Sequence, residues 1–221
     1  MRKLYGYAIR NLEDLEANWP MEYQAICNEV RAVNDWTDPA DAPDELISRL
    51  IYQSYNGVAR TGQAFNAWPN PRPEVGEYRE MLNHIKTGLN ASLPSDRVFE
   101  CRQEFSRITG GRGANSIFNR IVSAFCPGVV SPVMFEDDFD DAWRKLVRGG
   151  YINAGSIHEM VGEDPWYTKN VQLMEQLRQL LPDGPCEGAR WPINDYTRGV
   201  FVWGVHADVN MEDWMILREH L

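Results

Sequence analysis

The chain has 221 residues, 43% hydrophobic and 24% charged, which suits one large or two small globular domains with a real core and excludes wholesale disorder. Its 32 acidic side chains outnumber 22 basic ones, for a net charge of −10; this excludes a broad nonspecific grip on a polyanion, though not a local basic patch. No apolar run approaches the roughly 20 residues that span a bilayer, and Met1-Arg2-Lys3-Leu4-Tyr5-Gly6-Tyr7 lacks the apolar centre of a signal peptide, so the expected compartment is the cytoplasm.

Helical spacing predicts most of the elements. With Asp41 as N-cap and Pro43 in the first turn, Leu46, Ile47, Leu50, Ile51 and Tyr55 make one apolar stripe, ended by Gly57. Tyr78, Met81, Leu82, Ile85 and Leu89 repeat the pattern up to the stop-and-cap run Leu93-Pro94-Ser95. Val98, Cys101, Phe105 and Ile108 define a further helix closed by Gly110-Gly111. Asn115 or Ser116 caps the next, whose apolar face is Ile117, Ile121, Val122 and Phe125 and which Pro127 ends. Phe139, Trp143, Leu146 and Val147 form another stripe before Gly149-Gly150. Asp164-Pro165 opens a long helix terminated by Pro182. Residues 196 to 205 fit either a short strand at Phe201-Val202-Trp203 or a buried helix, because a continuous apolar run has no period to read. The last residues predict an amphipathic helix with Met211, Trp214, Met215 and Leu217 inward. The expected fold class is therefore mainly α, a multi-helix globular protein with little or no sheet.

Two Pro/Gly-rich stretches, 56 to 76 and 182 to 192, discourage regular structure. The first suggests a division into an N-terminal helical part, 1 to 75, and a helical domain, 76 to 221. Phe65 and Trp68 inside it favour a packed loop over a free linker.

The four cysteines are far apart and form no Cys-x-x-Cys pair, so buried reduced thiols are expected and a structural zinc is not. Acids clump at Asp35 to Glu45 and at Glu136 to Asp141, both at expected helix starts, where carboxylates complement the helix dipole. The glycine-rich run from Arg107 to Ser116 lacks the Gly-Lys-Ser/Thr ending of a phosphate loop, His158-Glu159 is not followed by a second histidine at the metalloprotease spacing, and no nucleophile elbow is present. The chain is expected to be non-catalytic and to need no cofactor. Arg102, Arg107, Arg112 and Arg120 form the densest arginine cluster, and Arg144, Lys145 and Arg148 a second; together they are the candidates for a local basic patch. Trp68, Trp166, Trp191 and Trp203, near loops, are candidates for base stacking, while Trp143 and Trp214 read as core.

From 98 to 205 the chain resembles a non-motor region of McrB-like proteins, the GTPase subunits of modification-dependent restriction systems. The resemblance is carried by Ile117-Phe118-Asn119-Arg120-Ile121-Val122 with Phe125-Cys126-Pro127, by Phe139 and Trp143, by Gly150-Tyr151-Ile152, by Trp166-Tyr167-Thr168-Lys169-Asn170-Val171-Gln172-Leu173-Met174, and by Phe201-Val202-Trp203. It implies a DNA-recognition or accessory module in phage defence, acting on DNA that carries a modification, with an AAA+ GTPase motor and a McrC-like nuclease as partners. It also implies Asn119 as a buried polar linchpin and Tyr167 or Met174 as packing residues. Joined to the basic clusters, the reading assigns nucleic-acid contacts to Arg107, Arg112, Asn115, Arg120, Lys145 and Arg148, with Trp191 or Trp203 for stacking. The alternative is an acidic protein-interaction module, a DNA mimic or inhibitor that binds a basic partner through the carboxylates at 35 to 45 and 136 to 141.

Overall fold

A computed structural model describes residues 1–15, 18–37, 43–60, 73–89, 95–111, 115–154 and 164–217. Among them the chain forms α1 (Arg2–Leu15), α2 (Trp19–Ala32), α3 (Asp44–Tyr52), a 3₁₀ turn (Val75–Tyr78), α4 (Arg79–Leu89), α5 (Ser95–Ile108), α6 (Asn115–Phe125), α7 (Glu136–Arg148), α8 (Pro165–Leu180), α9 (Asp195–Asp208) and α10 (Met211–Leu217). Extended pairing among the described residues is confined to three isolated bridges, Tyr55 with Arg60, Pro127 with Val130 and Gly184 with Ile193. The fold is a multi-helix globular one with essentially no β-sheet. Among the described residues no helix is long and apolar enough to cross a membrane.

Local signals explain most boundaries. Asp164 caps α8, its carboxylate accepting from the Tyr167 N–H at 2.9 Å, and Pro165 follows where a missing N–H costs nothing. Asn194 caps α9 in the same way through the Thr197 N–H. Gly110 and Gly111 close α5 at φ of +68 and +73. In α3 the stripe ends earlier than its spacing suggests: the helix stops at Tyr52, and Tyr55 lies in the following turn. Asp41, assigned as its cap, and Leu93-Pro94 lie outside the described residues, as do Phe65 and Trp68.

Two helices organise the interior. α6 is buried on every side from Ser116 to Phe125, with α2, α3, α4 and α5 around it. α9 packs on α1, α2, α7 and α8. The α1–α9 crossing is close because α9 carries Gly204, where a Cβ would lie 3.1 Å from the Ala8 carbonyl oxygen and 3.0 Å from Leu12 Cδ1. Residues 196 to 205 are helix, and Val200, Phe201, Val202 and Val205 are all buried against the surrounding helices. Side chains from both 1 to 75 and 76 to 221 enter the same core, from Leu4 and Tyr23 to Phe201 and Trp214. In α10, Trp214 is buried as expected, but Met215 faces solvent, a correction to its expected inward position.

Candidate functional site

Among the described cations proposed for phosphate contact, Arg120 and Lys145 are drawn into the packing, while Arg107 and Arg148 pair with carboxylates at the surface. Arg120 is fully buried, its guanidinium donating to the carbonyl oxygens of Gln53 at 2.8 Å, Leu50 at 2.9 Å and Ile51 at 3.2 Å. It thereby closes the carboxyl end of α3, where carbonyls lack intrahelical partners and the dipole is negative. Burial pulls its pKa down to about 9, still above neutral pH. Assigning Arg120 to DNA is corrected on this ground: a guanidinium inside the core cannot meet a phosphate.

Lys145 makes a similar cap at the last turn of α9, donating to the carbonyls of His206 at 2.6 Å and Val205 at 3.3 Å, and pairing with Asp141 at 2.9 Å. Arg198, which was not singled out from the sequence, does the same for α8: it is buried, and donates to the Leu181 carbonyl at 2.9 Å and to Asp183 and Asp195 at 2.5 and 2.6 Å. Arg102 is held in a bidentate pair with the buried Asp164 and also donates to Asn119 at 2.7 Å. Asn119 in turn donates to the Met134 carbonyl at 2.8 Å, so it is the polar link between α5, α6 and the loop before α7.

The remaining assigned cations are exposed. Arg107 is paired with Glu104 one turn earlier on α5, and Arg148 with Glu212. Asn115 is exposed at the start of α6, and Arg112 lies outside the described residues. Arg144, Lys145 and Arg148 do line one open depression of about 730 Å³, but Asp141 and Glu212 line it with them. Trp191 is buried at 6% exposure, and its assignment to base stacking is corrected accordingly.

Trp203 has a different setting. Half-buried on α9, it meets Trp19 of α2 edge-on, ring centroids 6.4 Å apart and planes at 81°. The Trp19 indole is fixed by its Nε1 donating to the Val58 carbonyl at 3.0 Å. Tyr55, Phe135, Pro132 and Met134 complete an apolar cleft of about 150 Å³, with Arg60 at its edge. The Arg60 guanidinium carbon lies 5.3 Å from the Tyr55 ring centroid, and the Tyr55 hydroxyl donates to Glu22. Phe135 is 38% exposed and is followed directly by the exposed Glu136 and Asp137 in the first turn of α7.

The His206 ring also meets Trp203, centroids 5.1 Å apart and planes tilted at 53°. Its two nitrogens face carboxylates, Nδ1 to Asp141 at 3.0 Å and Nε2 to Asp138 at 3.5 Å. Burial raises the Asp141 pKa, but hydrogen bonds from Lys145 and His206 outweigh it and leave the carboxyl below its usual range. Sequence reasoning found Trp203 but not Trp19, Tyr55 or Phe135. No local signal could have joined them, since the cleft exists only where α2 meets α9 and two loops.

Among the described residues no cluster of His, Cys, Asp and Glu has the makings of a metal site. The four cysteines are unpaired and buried. The class of protein defined to this point is a mostly helical, acidic protein with an aromatic cleft among its described residues. Comparison of the chain with family models, curated proteins and solved structures finds no match. The McrB-like reading, with its DNA-binding, restriction-system and phage-defence roles, is corrected: no relative of that kind is found, and Arg120 and Trp191, two of the residues on which DNA contact rested, are buried. The motor and nuclease partners inferred from it have no support from these comparisons either. The all-helical fold stands.

Proposed function

We infer that the chain is a non-catalytic protein-interaction module whose acidic surface receives a basic segment of a partner protein. The observation that carries this reading is the fate of the cations. Arg120 and Arg198 are sealed in the core at helix ends, and Lys145 and Arg102 are engaged in caps and pairs, while Asp164 is the one fully buried carboxylate among the described residues. The surface is consequently more acidic than the net charge of the chain, and a surface of one sign steers and holds a partner of the other. The exposed aromatic edge of Phe135 beside Glu136 and Asp137 supplies an apolar anchor next to a charged rim, the arrangement that concentrates binding energy at interfaces. Four buried unpaired thiols fit a reducing compartment, in keeping with a cytoplasmic protein.

The test is a titration of the chain with lysine- and arginine-rich peptides and, in parallel, with duplex DNA, at low and physiological salt. Salt-sensitive binding of the peptides, weakened when Glu136 and Asp137 are changed to Lys, is the expected result. Binding of DNA in preference to the peptides, or no peptide binding at low salt, would remove this reading.

A further inference from the structure

We propose that the cleft between Trp19, Tyr55, Phe135 and Trp203 receives a methylated lysine side chain of the basic partner, as a quaternary ammonium group held by aromatic faces. The proposal rests on the basic-partner reading and adds the chemistry of the side chain that enters.

Three observations point to a cation rather than to a neutral apolar group. The first is the arrangement of rings. Trp19 and Trp203 stand nearly perpendicular, at 81°, and Tyr55 and Phe135, with Ala59, Pro132 and Met134, complete the walls of a space of about 150 Å³. That space is of a size to take a trimethylammonium head, and aromatic walls attract positive charge through their quadrupoles. The second is that a cation already lies on one of these rings: the Arg60 guanidinium sits over Tyr55 at 5.3 Å. The third is charge at the rim. Glu22 accepts from the Tyr55 hydroxyl, and Glu136 and Asp137 adjoin Phe135.

An unmodified ammonium is strongly hydrated and loses that hydration on entering an apolar cleft. A trimethylated ammonium keeps its charge, is weakly hydrated and buries three methyl groups, so the same cleft discriminates in its favour. Arg60 and Glu22 then act with opposite signs. Arg60 competes for the Tyr55 face and repels the incoming charge, and Glu22 attracts it. A ligand bearing a carboxylate would reverse both effects, and a neutral one would respond to neither.

The experiment is calorimetric titration of the whole chain with one basic peptide carrying, at a single position, trimethyllysine, lysine, or the neutral tert-butyl isostere of trimethyllysine. Tetramethylammonium serves as competitor. Indole N–H resonances of the tryptophans give a second readout. The trimethyllysine peptide is expected to bind about tenfold tighter than either other peptide, and tetramethylammonium to displace it. Phe135→Leu, which keeps an apolar wall at an exposed position but removes the ring, is expected to erase most of that preference. Arg60→Gln is expected to strengthen binding severalfold and Glu22→Gln to weaken it.

Equal binding of all three peptides overturns the cleft as an ammonium receptor and leaves the basic-partner reading intact. Equal binding of the isostere and the trimethyllysine peptide, both above lysine, overturns it in favour of a plain apolar anchor. Binding of tetramethylammonium with no peptide bound overturns both the partner-borne side chain and the basic-partner reading. Loss of affinity in Arg60→Gln also overturns the proposal, because it would mean that the arginine holds an anionic ligand.

Discussion

Arg102 and Asp164 form a two-pronged ion pair across 62 residues of sequence, Nε to Oδ2 at 2.5 Å and Nη2 to Oδ1 at 3.1 Å. The same aspartate caps α8 through the Tyr167 N–H, and its own N–H donates to Ser95 Oγ at 3.0 Å. One fully buried carboxylate therefore ties the start of α5, the body of α5 and the start of α8 together.

Removing that carboxylate leaves a largely buried guanidinium without its counter-charge and a helix without its cap. Asp164→Ala is expected to cost about 3–5 kcal/mol, the range for breaking a buried pair from one side. Asp164→Asn, which keeps a cap acceptor, is expected to cost less. Urea unfolding of the three proteins measures the difference, and a cost under about 1 kcal/mol for the alanine variant would show that the pair is not structural.

Arg120 is expected to be irreplaceable by lysine. Its guanidinium reaches the carbonyls of Leu50, Ile51 and Gln53 at once through two nitrogens, a fork that a single ammonium does not reproduce. Arg120→Lys and Arg120→Met are both expected to lose about 2–4 kcal/mol, since either leaves buried carbonyls unpaired. Thermal unfolding checks this, and a lysine variant as stable as the parent would contradict it.

Acidification should weaken the α7–α9 contact. Asp141 has a depressed pKa in the folded chain, so its contribution is fully present above the ordinary carboxylate pKa of about 4 and is lost as pH falls through the lower folded value. The parent protein is thus expected to lose stability more steeply than Asp141→Asn below about pH 4. Melting curves taken between neutral pH and this acid range give the slopes. Identical slopes would mean that the Asp141 pairs with Lys145 and His206 contribute nothing to folding.

The thiols should be slow to react in the native state. Burial raises Cys101 to about 11 and Cys126 to about 12, and raises Cys27 further still. The thiolate is the reactive form, so a disulfide reagent at mildly alkaline pH is expected to modify Cys186 first, with the other three released only on unfolding. Rapid modification of Cys27 or Cys126 would show that the α2–α6 region opens readily.

The sequence by itself determined where most helices begin and end. Asp164-Pro165, Gly110-Gly111, Gly149-Gly150 and Pro127 act on the backbone within a turn of their own position, so their effect needs no distant partner. The stretch Phe201-Val202-Trp203 escaped that logic, because a continuous apolar run has no polar face from which to read a period. Only the tertiary structure decided what the charged and aromatic side chains do. Arg120 finds Leu50 across 70 residues, and Trp19 meets Trp203 from the other end of the chain. A guanidinium binds any carbonyl, carboxylate or phosphate within reach. Which one it meets is a matter of packing, and here that packing drew Arg120 and Arg198 inward and left Arg107 and Arg148 paired with carboxylates at the surface.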